Sequence, residues 1–370
     1  MESTDVLVIG GGPAGAATAL TLARAGVRCV VLESQIAPAW RIGETLAPEA
    51  RPLLEALGVW DEFAQAGHLS SPGTVAVWSG PMPVAKDFIF NPHGCAWQLD
   101  RAKFEASLLH AAGTAGALVV RGIVPGKPQR RPAGWEISAG TRSFRAAWLV
   151  DATGRGAVLT RQLGVPRDLL DHLVAIHALL PAPTADDTDA RTWIEAVPGG
   201  WWYSALLPGG RRLFSFQTDA DLLPGQDWRE AGWWVRQLEG TLQLQALAGT
   251  PRLTAAPRLT SAHSGRMQAC VGTGWVAVGD AAQSFDPLSG EGLFHALLTG
   301  LHAARGLRQC LSGENDGLAV YSTMLVTLWD RFLQQRESSH GIETRWPNEP
   351  FWQRRRIRPS LEPNGAGQPR

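Results

Sequence analysis

The residues best placed to do chemistry lie at three separated points of the chain. At the first, the apolar run Val6-Leu7-Val8-Ile9 leads into Gly10-x-Gly12-x-x-Gly15 and then an Ala/Leu-rich stretch. A short β-branched run bounded by glycine reads as a buried parallel strand. Gly10 permits the tight turn, Gly12 lets a pyrophosphate approach the backbone, and Gly15 lets the next helix pack closely. Pro13 and Ala14 stand where that helix begins, with unpaired N–H groups and a partial positive charge. A second run, Val27 to Leu32, ends in Glu33, eighteen residues after Gly15, with Ser34 beside it. A carboxylate there can accept ribose hydroxyls. A glycine triplet that follows a strand, opens a helix and is answered by an acid at this distance is specific for a dinucleotide. The second point is Asp151-Ala152-Thr153-Gly154. The third is Gly279-Asp280-Ala281-Ala282, continuing through Asp286-Pro287-Leu288-Ser289-Gly290-Glu291-Gly292. Glycines at 290 and 292 let backbone lie against a planar ring without a Cβ clash.

These points need a scaffold, and 370 residues suffice for two subdomains. The sequence predicts an α/β fold: a Rossmann-like domain of parallel sheet plus β-meander, an inserted antiparallel-sheet domain, and C-terminal helices. The dinucleotide domain is expected in three pieces, 1–71, 100–164 and 268–315. The inserted substrate domain takes 72–99 and 165–267. A helix is expected over Pro48–Leu57, with Arg41 in the loop before it. Short alternating runs, Val75–Trp78 and Asp87–Phe90, read as strands of a second sheet. The meander is expected from Leu118–Arg121, Trp135–Ser138 and Phe144–Asp151. A helix near Gly290–Cys310 and another at Leu318–Arg336 close the fold, with a C-terminal segment to 345. From Trp346 to 370 the Pro/Gly-rich, arginine-bearing end reads as a loosely held tail.

Composition excludes several roles. The formal net charge is zero, so nothing favours nucleic acid or an anionic membrane surface. No apolar run approaches the ~20 residues of a membrane helix. The first strand starts too early to leave room for a signal peptide. Cys29, Cys95, Cys270 and Cys310 are isolated, which suits a reducing cytoplasm. The nine histidines show no ligand spacing, so no metal is expected. Sixteen tryptophans against two tyrosines is an unusual ratio. Tryptophan fills cores and lines aromatic pockets alike.

The three motifs, in this order and spacing, resemble the FAD-binding fold of p-hydroxybenzoate-hydroxylase-like flavoproteins. That group includes aromatic hydroxylases, flavin-dependent tryptophan halogenases and geranylgeranyl reductases. The resemblance implies FAD across Gly10–Gly15 and Glu33, with Asp151–Gly154 near the pyrophosphate. It also implies Asp280 on the ribityl hydroxyls and Pro287–Gly292 beside the isoalloxazine. Arg101, in Leu99-Asp100-Arg101-x-x-Phe104, matches the family's helix-opening arginine. A helix starting near Gly290 would aim its N-terminus at the anionic edge of reduced flavin. The stretch from Asp87 to Arg101 resembles a smaller branch, often described as halogenase-like, whose members modify tryptophan side chains of partner proteins during quinone-cofactor formation.

Within that resemblance, hydroxylation is expected over halogenation. The halogenase Trp-x-Trp-x-Ile-Pro motif has no copy, and Ser289-Gly290 stands where halogenases carry Glu-Ser. Lys86 is the one lysine near the region where they hold the halogenating species, and its surroundings match poorly. Flavin then supplies a C4a-hydroperoxide that hydroxylates an electron-rich ring, an indole or a peptidyl tryptophan. His93 is a candidate base, with Gln98 and Trp201 beside the substrate. Trp201 and Trp202 face opposite ways on a strand, so one of them should line the substrate cavity, with Tyr203 on the face of Trp201. The 93–98 turn should share one cavity with Gly290–Gly292. FAD is expected to be noncovalent. With no second nicotinamide-type glycine motif, electrons come from docked NAD(P)H or a separate reductase. The competing readings are a halogenase, a geranylgeranyl-reductase-like enzyme, and a FAD protein that presents a precursor polypeptide without redox turnover.

Overall fold

The computed structural model describes residues 1–181, 188–253, 255–314 and 316–356. Two large sheets organise them. In the first, Glu2–Ile9 pairs in parallel with Cys29–Glu33 on one side and Arg142–Asp151 on the other. Leu118–Arg121 and Trp275–Ala277 extend this sheet in parallel at either side. Val6, Leu7 and Val8 are wholly buried, as a strand covered on both faces requires. The helix Pro13–Arg24 packs on Gly292–Leu311 and Arg101–Thr114. Small residues set that distance: a Cβ at Gly300 would run into the Ala14 carbonyl oxygen.

The second sheet has seven strands, drawn from 73–87, 173–219 and 258–261. Leu173–Pro181, Arg211–Asp219, Gly200–Leu207 and Thr192–Val197 are its antiparallel centre. Alternation sends Trp202 to one face, against Trp234 and Phe216, and Trp201 to the other, towards Trp78. The second face carries Leu173, Ala175, Phe351 and Trp352 in one apolar cluster with Trp201.

Three expectations change. Leu118–Arg121 is not part of the meander. It lies beside Cys29–Glu33, and the meander is Gln129–Arg131, Gly134–Ala139 and Arg142–Asp151. Asp87–Phe90 is not a strand. Val84–Asp87 forms the edge, and Phe88 to Asn91 turns, with Asn91 N–H donating to the Phe88 carbonyl at 2.8 Å before Pro92.

The chain from Trp346 does not hang free where it is described. Pro350–Arg356 is a helix with Phe351 and Trp352 buried. Arg355 pairs with Asp219 at 2.8 Å, both buried, and Arg354 bonds Asp219 and Asp221. Arg356 donates to the Glu343 carbonyl at 2.7 Å. An adjacent aromatic pair anchors what an arginine run makes look solvated, and residues 357–370 lie outside the described residues. Arg355→Ala leaves the buried Asp219 carboxylate with Arg354 alone. It should lower stability by roughly 3 kcal/mol, read as the shift in urea midpoint. An unchanged midpoint would mean a loosely held end.

Candidate active site

One cavity of about 630 Å³ runs from the glycine turn of the first sheet to the face of the second. Gly10, Gly12, Pro13, Ala14, Glu33, Ser34 and Arg41 line one end, with Arg101 and Gly154. Asp280, Pro287, Gly290 and Gly292 line the far side. The wall is cut to admit a ligand. A Cβ at Gly12, Gly154, Gly290 or Gly292 would meet nothing within 4 Å. Two helices start on the cavity, Pro13–Arg24 and Gly292–Leu311, and neither has a side-chain cap. Their first N–H groups remain available for an anion. These residues fit FAD.

The polar residues are arranged by their neighbours. Glu33 Oε2 accepts from Gly11 N–H at 2.7 Å and Oε1 from Gln35 N–H at 2.8 Å. That fixes the carboxylate on the wall. Asp280 pairs with Arg155 at 3.2 Å and sits in the tight turn Gly279–Ala281, not at the start of the long helix. A helix-capping role is thereby removed. Arg101 donates to the Gly43 carbonyl and to Glu105, tying the 41–45 loop to its helix.

Several expected residues do not reach the cavity. Gly15 is structural: a Cβ there would strike the Gly10 carbonyl oxygen. Gly279 packs on Ala14. Asp151 is wholly buried, and both of its oxygens are taken. Oδ1 accepts from Thr153 N–H and Oγ1–H, and Oδ2 from Thr160 N–H and Oγ1–H, all at 2.6–3.0 Å. It shapes the turn that presents Gly154. None of residues 93–98 lines the cavity. His93 is held in the Asn91 turn through its own N–H, at 2.9 Å from Asn91 Oδ1. Trp201 is wholly buried in the apolar face. Gln98 is buried, and lies one hydrogen bond behind the wall.

Tyr203, Thr45 and Glu44 take the places left open. Thr45 Oγ1 lies 2.7 Å from the Tyr203 hydroxyl and 2.8 Å from Gln98 Oε1. Burial raises the Tyr203 phenol, with the nearby Glu44 charge adding to it. Among the described residues, five carboxylates line the cavity: Glu33, Glu44, Glu105, Asp280 and Asp286. Four are engaged. Asp286 bonds His340 Nε2 at 3.0 Å. Burial pushes its pKa up, but the His340 bond and the charges of Arg355 and Arg336 outweigh this and hold it at about 2. Glu44 is fully buried, and neither side-chain oxygen has a partner of normal hydrogen-bond geometry. Burial pushes it up to about 7, against the backbone N–H groups of Glu44 and Gly43 and the charge of Arg101. No periodic pattern marks an acid in a loop. Its one sequence signal is the lone acid of Arg41-Ile42-Gly43-Glu44-Thr45.

Fold and cavity together define a FAD-dependent oxidoreductase. The chain belongs to the FAD binding domain family, which it matches over residues 3–325. It is 30% identical to the putative FAD-dependent oxidoreductase LodB of Marinomonas mediterranea, over 98% of this chain and 99% of that one. It is 28% identical to the flavin-dependent halogenase armH3 of Armillaria mellea, over 90% of this chain and 73% of the relative. Among solved structures, the peptidyl tryptophan dihydroxylase QhpG, essential for tryptophylquinone cofactor biogenesis, superposes with a TM-score of 0.80. It shares 26% identity over 98% of this chain and 80% of its own. The chondrochloren halogenase CndH shares the fold, with a TM-score of 0.87 at 22% identity over 96% and 86%. No helix among the described residues is long and apolar enough to cross a membrane.

Asp280→Ala should weaken FAD binding by about 1.5–3 kcal/mol through lost charge-assisted hydrogen bonds. Titration of apoprotein reads this, and an unchanged dissociation constant would confine Asp280 to its Arg155 pair. Glu44 links pH to stability. Its folded pKa lies above its unfolded one, so its contribution is fully present below about 4.5 and is lost as pH rises through about 7. Glu44→Gln should flatten the fall in apoprotein melting temperature across that window. An identical fall in wild type and variant would show that Glu44 is ionised throughout.

Proposed function

We propose that the protein is an FAD-dependent monooxygenase that hydroxylates an electron-rich aromatic ring, a tryptophan side chain of a partner polypeptide. The observation that carries this is the cavity's charge set. Its described lining holds five carboxylates and three arginines, Arg41, Arg101 and Arg155, and no lysine. Lys86 is on the exposed edge strand Val84–Asp87, outside that lining. With no amine to capture a hypohalous species, oxygen must pass straight to the ring. Likeness to QhpG, a peptidyl tryptophan dihydroxylase, supports the same reading.

FAD bound here and reduced would supply the oxygen chemistry, one atom of dioxygen going to the ring and the other leaving as water. The chain's own residues bind and orient. Glu33 is set to accept the adenosine ribose hydroxyls, and the helix at Pro13 faces the phosphates. Asp280, held by its Arg155 pair, would accept the ribityl hydroxyls. The helix at Gly292 favours negative charge on the reduced ring. Ala175 and Tyr203 of the second sheet, with Ala262 just past its edge strand, close the substrate side and keep water out. FAD is held noncovalently, and electrons arrive from docked NAD(P)H or a separate reductase, since the chain has one dinucleotide glycine motif.

Incubation with reduced FAD, oxygen, a tryptophan-bearing peptide, and chloride or bromide decides between products. A gain of oxygen mass, unchanged by halide, is expected. A halogenated product that disappears with Lys86→Ala would overturn hydroxylation and favour the halogenase reading that similarity to armH3 suggests.

A further inference from the structure

We infer that Tyr203 is a fixed hydrogen-bond acceptor that selects substrates carrying a ring N–H, so that the site reads an indole by its nitrogen. This deepens the hydroxylation reading and rests on it. A buried chain of side chains sets the direction of each hydrogen bond at this wall. Gln98 Nε2 donates to Thr192 Oγ1 at 2.9 Å. That orientation leaves Gln98 Oε1 as the acceptor facing Thr45, and Thr45 Oγ1–H donates to it at 2.8 Å. A threonine hydroxyl has one hydrogen. Thr45 can therefore only accept from its other neighbour, the Tyr203 hydroxyl at 2.7 Å. The phenol hydrogen is committed away from the ligand, and the oxygen keeps lone-pair capacity.

Tyr203 lines the cavity and is half-buried there, so that capacity faces a ligand space. Gln98 and Thr192 behind it are buried, so the chain's polarity is shielded from exchange with bulk water. Gln217, another polar side chain on that wall, engages its amide with Ser215 and the Trp201 carbonyl once its two amide atoms are assigned to satisfy both. Among aromatic rings, an indole is complementary: its nitrogen donates and cannot accept. Gln98 thus has a positioning role, setting the direction of the bond at Tyr203 from behind the wall.

The test is equilibrium binding to the FAD-loaded, oxidised protein, which is independent of turnover. The probes are two peptides of one sequence, one bearing tryptophan and one bearing its benzothiophene isostere, which has no N–H. Wild type should favour the indole peptide at least about tenfold, because the isostere leaves an acceptor unpaired. Tyr203→Phe should bring the ratio near one with the protein still folded and yellow. Gln98→Leu frees the Thr45 hydrogen to turn towards Tyr203, and should lower the ratio even if affinity for both peptides also changes. A merely structural Gln98 would shift both affinities and leave the ratio intact, which would overturn the inference. So would a wild-type ratio near one, or an unchanged ratio in Tyr203→Phe. Halogenated product from the wild type would instead refute hydroxylation while leaving the binding ratio as measured.

Discussion

The structure depends on how closely one helix end approaches the backbone around it. Gly15 lies against the Gly10 carbonyl, Gly10 against the Ala152 carbonyl, and Gly300 against the Ala14 carbonyl, each with no room for a Cβ. Gly10 also needs φ +104°, a conformation that side chains disfavour. Together these contacts pin the first turn of Pro13–Arg24 between the first strand, the turn after Asp151 and the helix Gly292–Leu311. The helix N-terminus then has one direction to point, into the cavity. Loosening any of these contacts would move the anion site and the two sheets' common wall together.

The second sheet meets this end through a buried polar seam. Thr45–Leu46 pairs with Ala96–Gln98, which also pairs with Leu69–Ser71. Gln98 crosses to Thr192 and Thr45 crosses to Tyr203, so the seam joins the 41–45 loop to the second sheet's side of the cavity. Buried hydrogen bonds of this kind are costly to leave half-made. They therefore hold one arrangement of the two sheets. The helix Pro350–Arg356 locks the same face of the second sheet, beside the cavity, through Arg355 and Asp219.

What could be read from sequence was local. Gly10, Gly12, Gly15 and Glu33 are legible because a strand, a turn and a helix in succession fix where each falls. Gly290 and Gly292 are legible for the same reason. Asp151 was open to misreading because its carboxylate closes its own turn, and residue type does not tell a turn-former from a ligand. His93 lies off the cavity because where a loop falls depends on pairing between segments more than forty residues apart, such as Thr45 with Gln98. Trp201 shares the cavity-facing side of its strand with Tyr203, but it packs with Trp78, Phe351 and Trp352 instead of lining the cavity. Glu44 carries no periodic signal, and its burial comes wholly from what packs over it. The Pro350–Arg356 helix was hidden by its arginines, whose acidic partners at Asp219 and Asp221 lie far back in the chain.

If the phosphates of FAD lie at Gly12, the backbone there must stay bare. Gly12 has φ −66°, which any residue adopts, and a Cβ there would meet no protein atom within 4 Å. Titrating FAD into Gly12→Val apoprotein, with its melting temperature measured alongside, separates ligand contact from folding. The expected outcome is an apoprotein melting temperature like that of wild type and at least about a tenfold loss of FAD affinity, roughly 1.4 kcal/mol. Unchanged FAD affinity in a folded variant would contradict it.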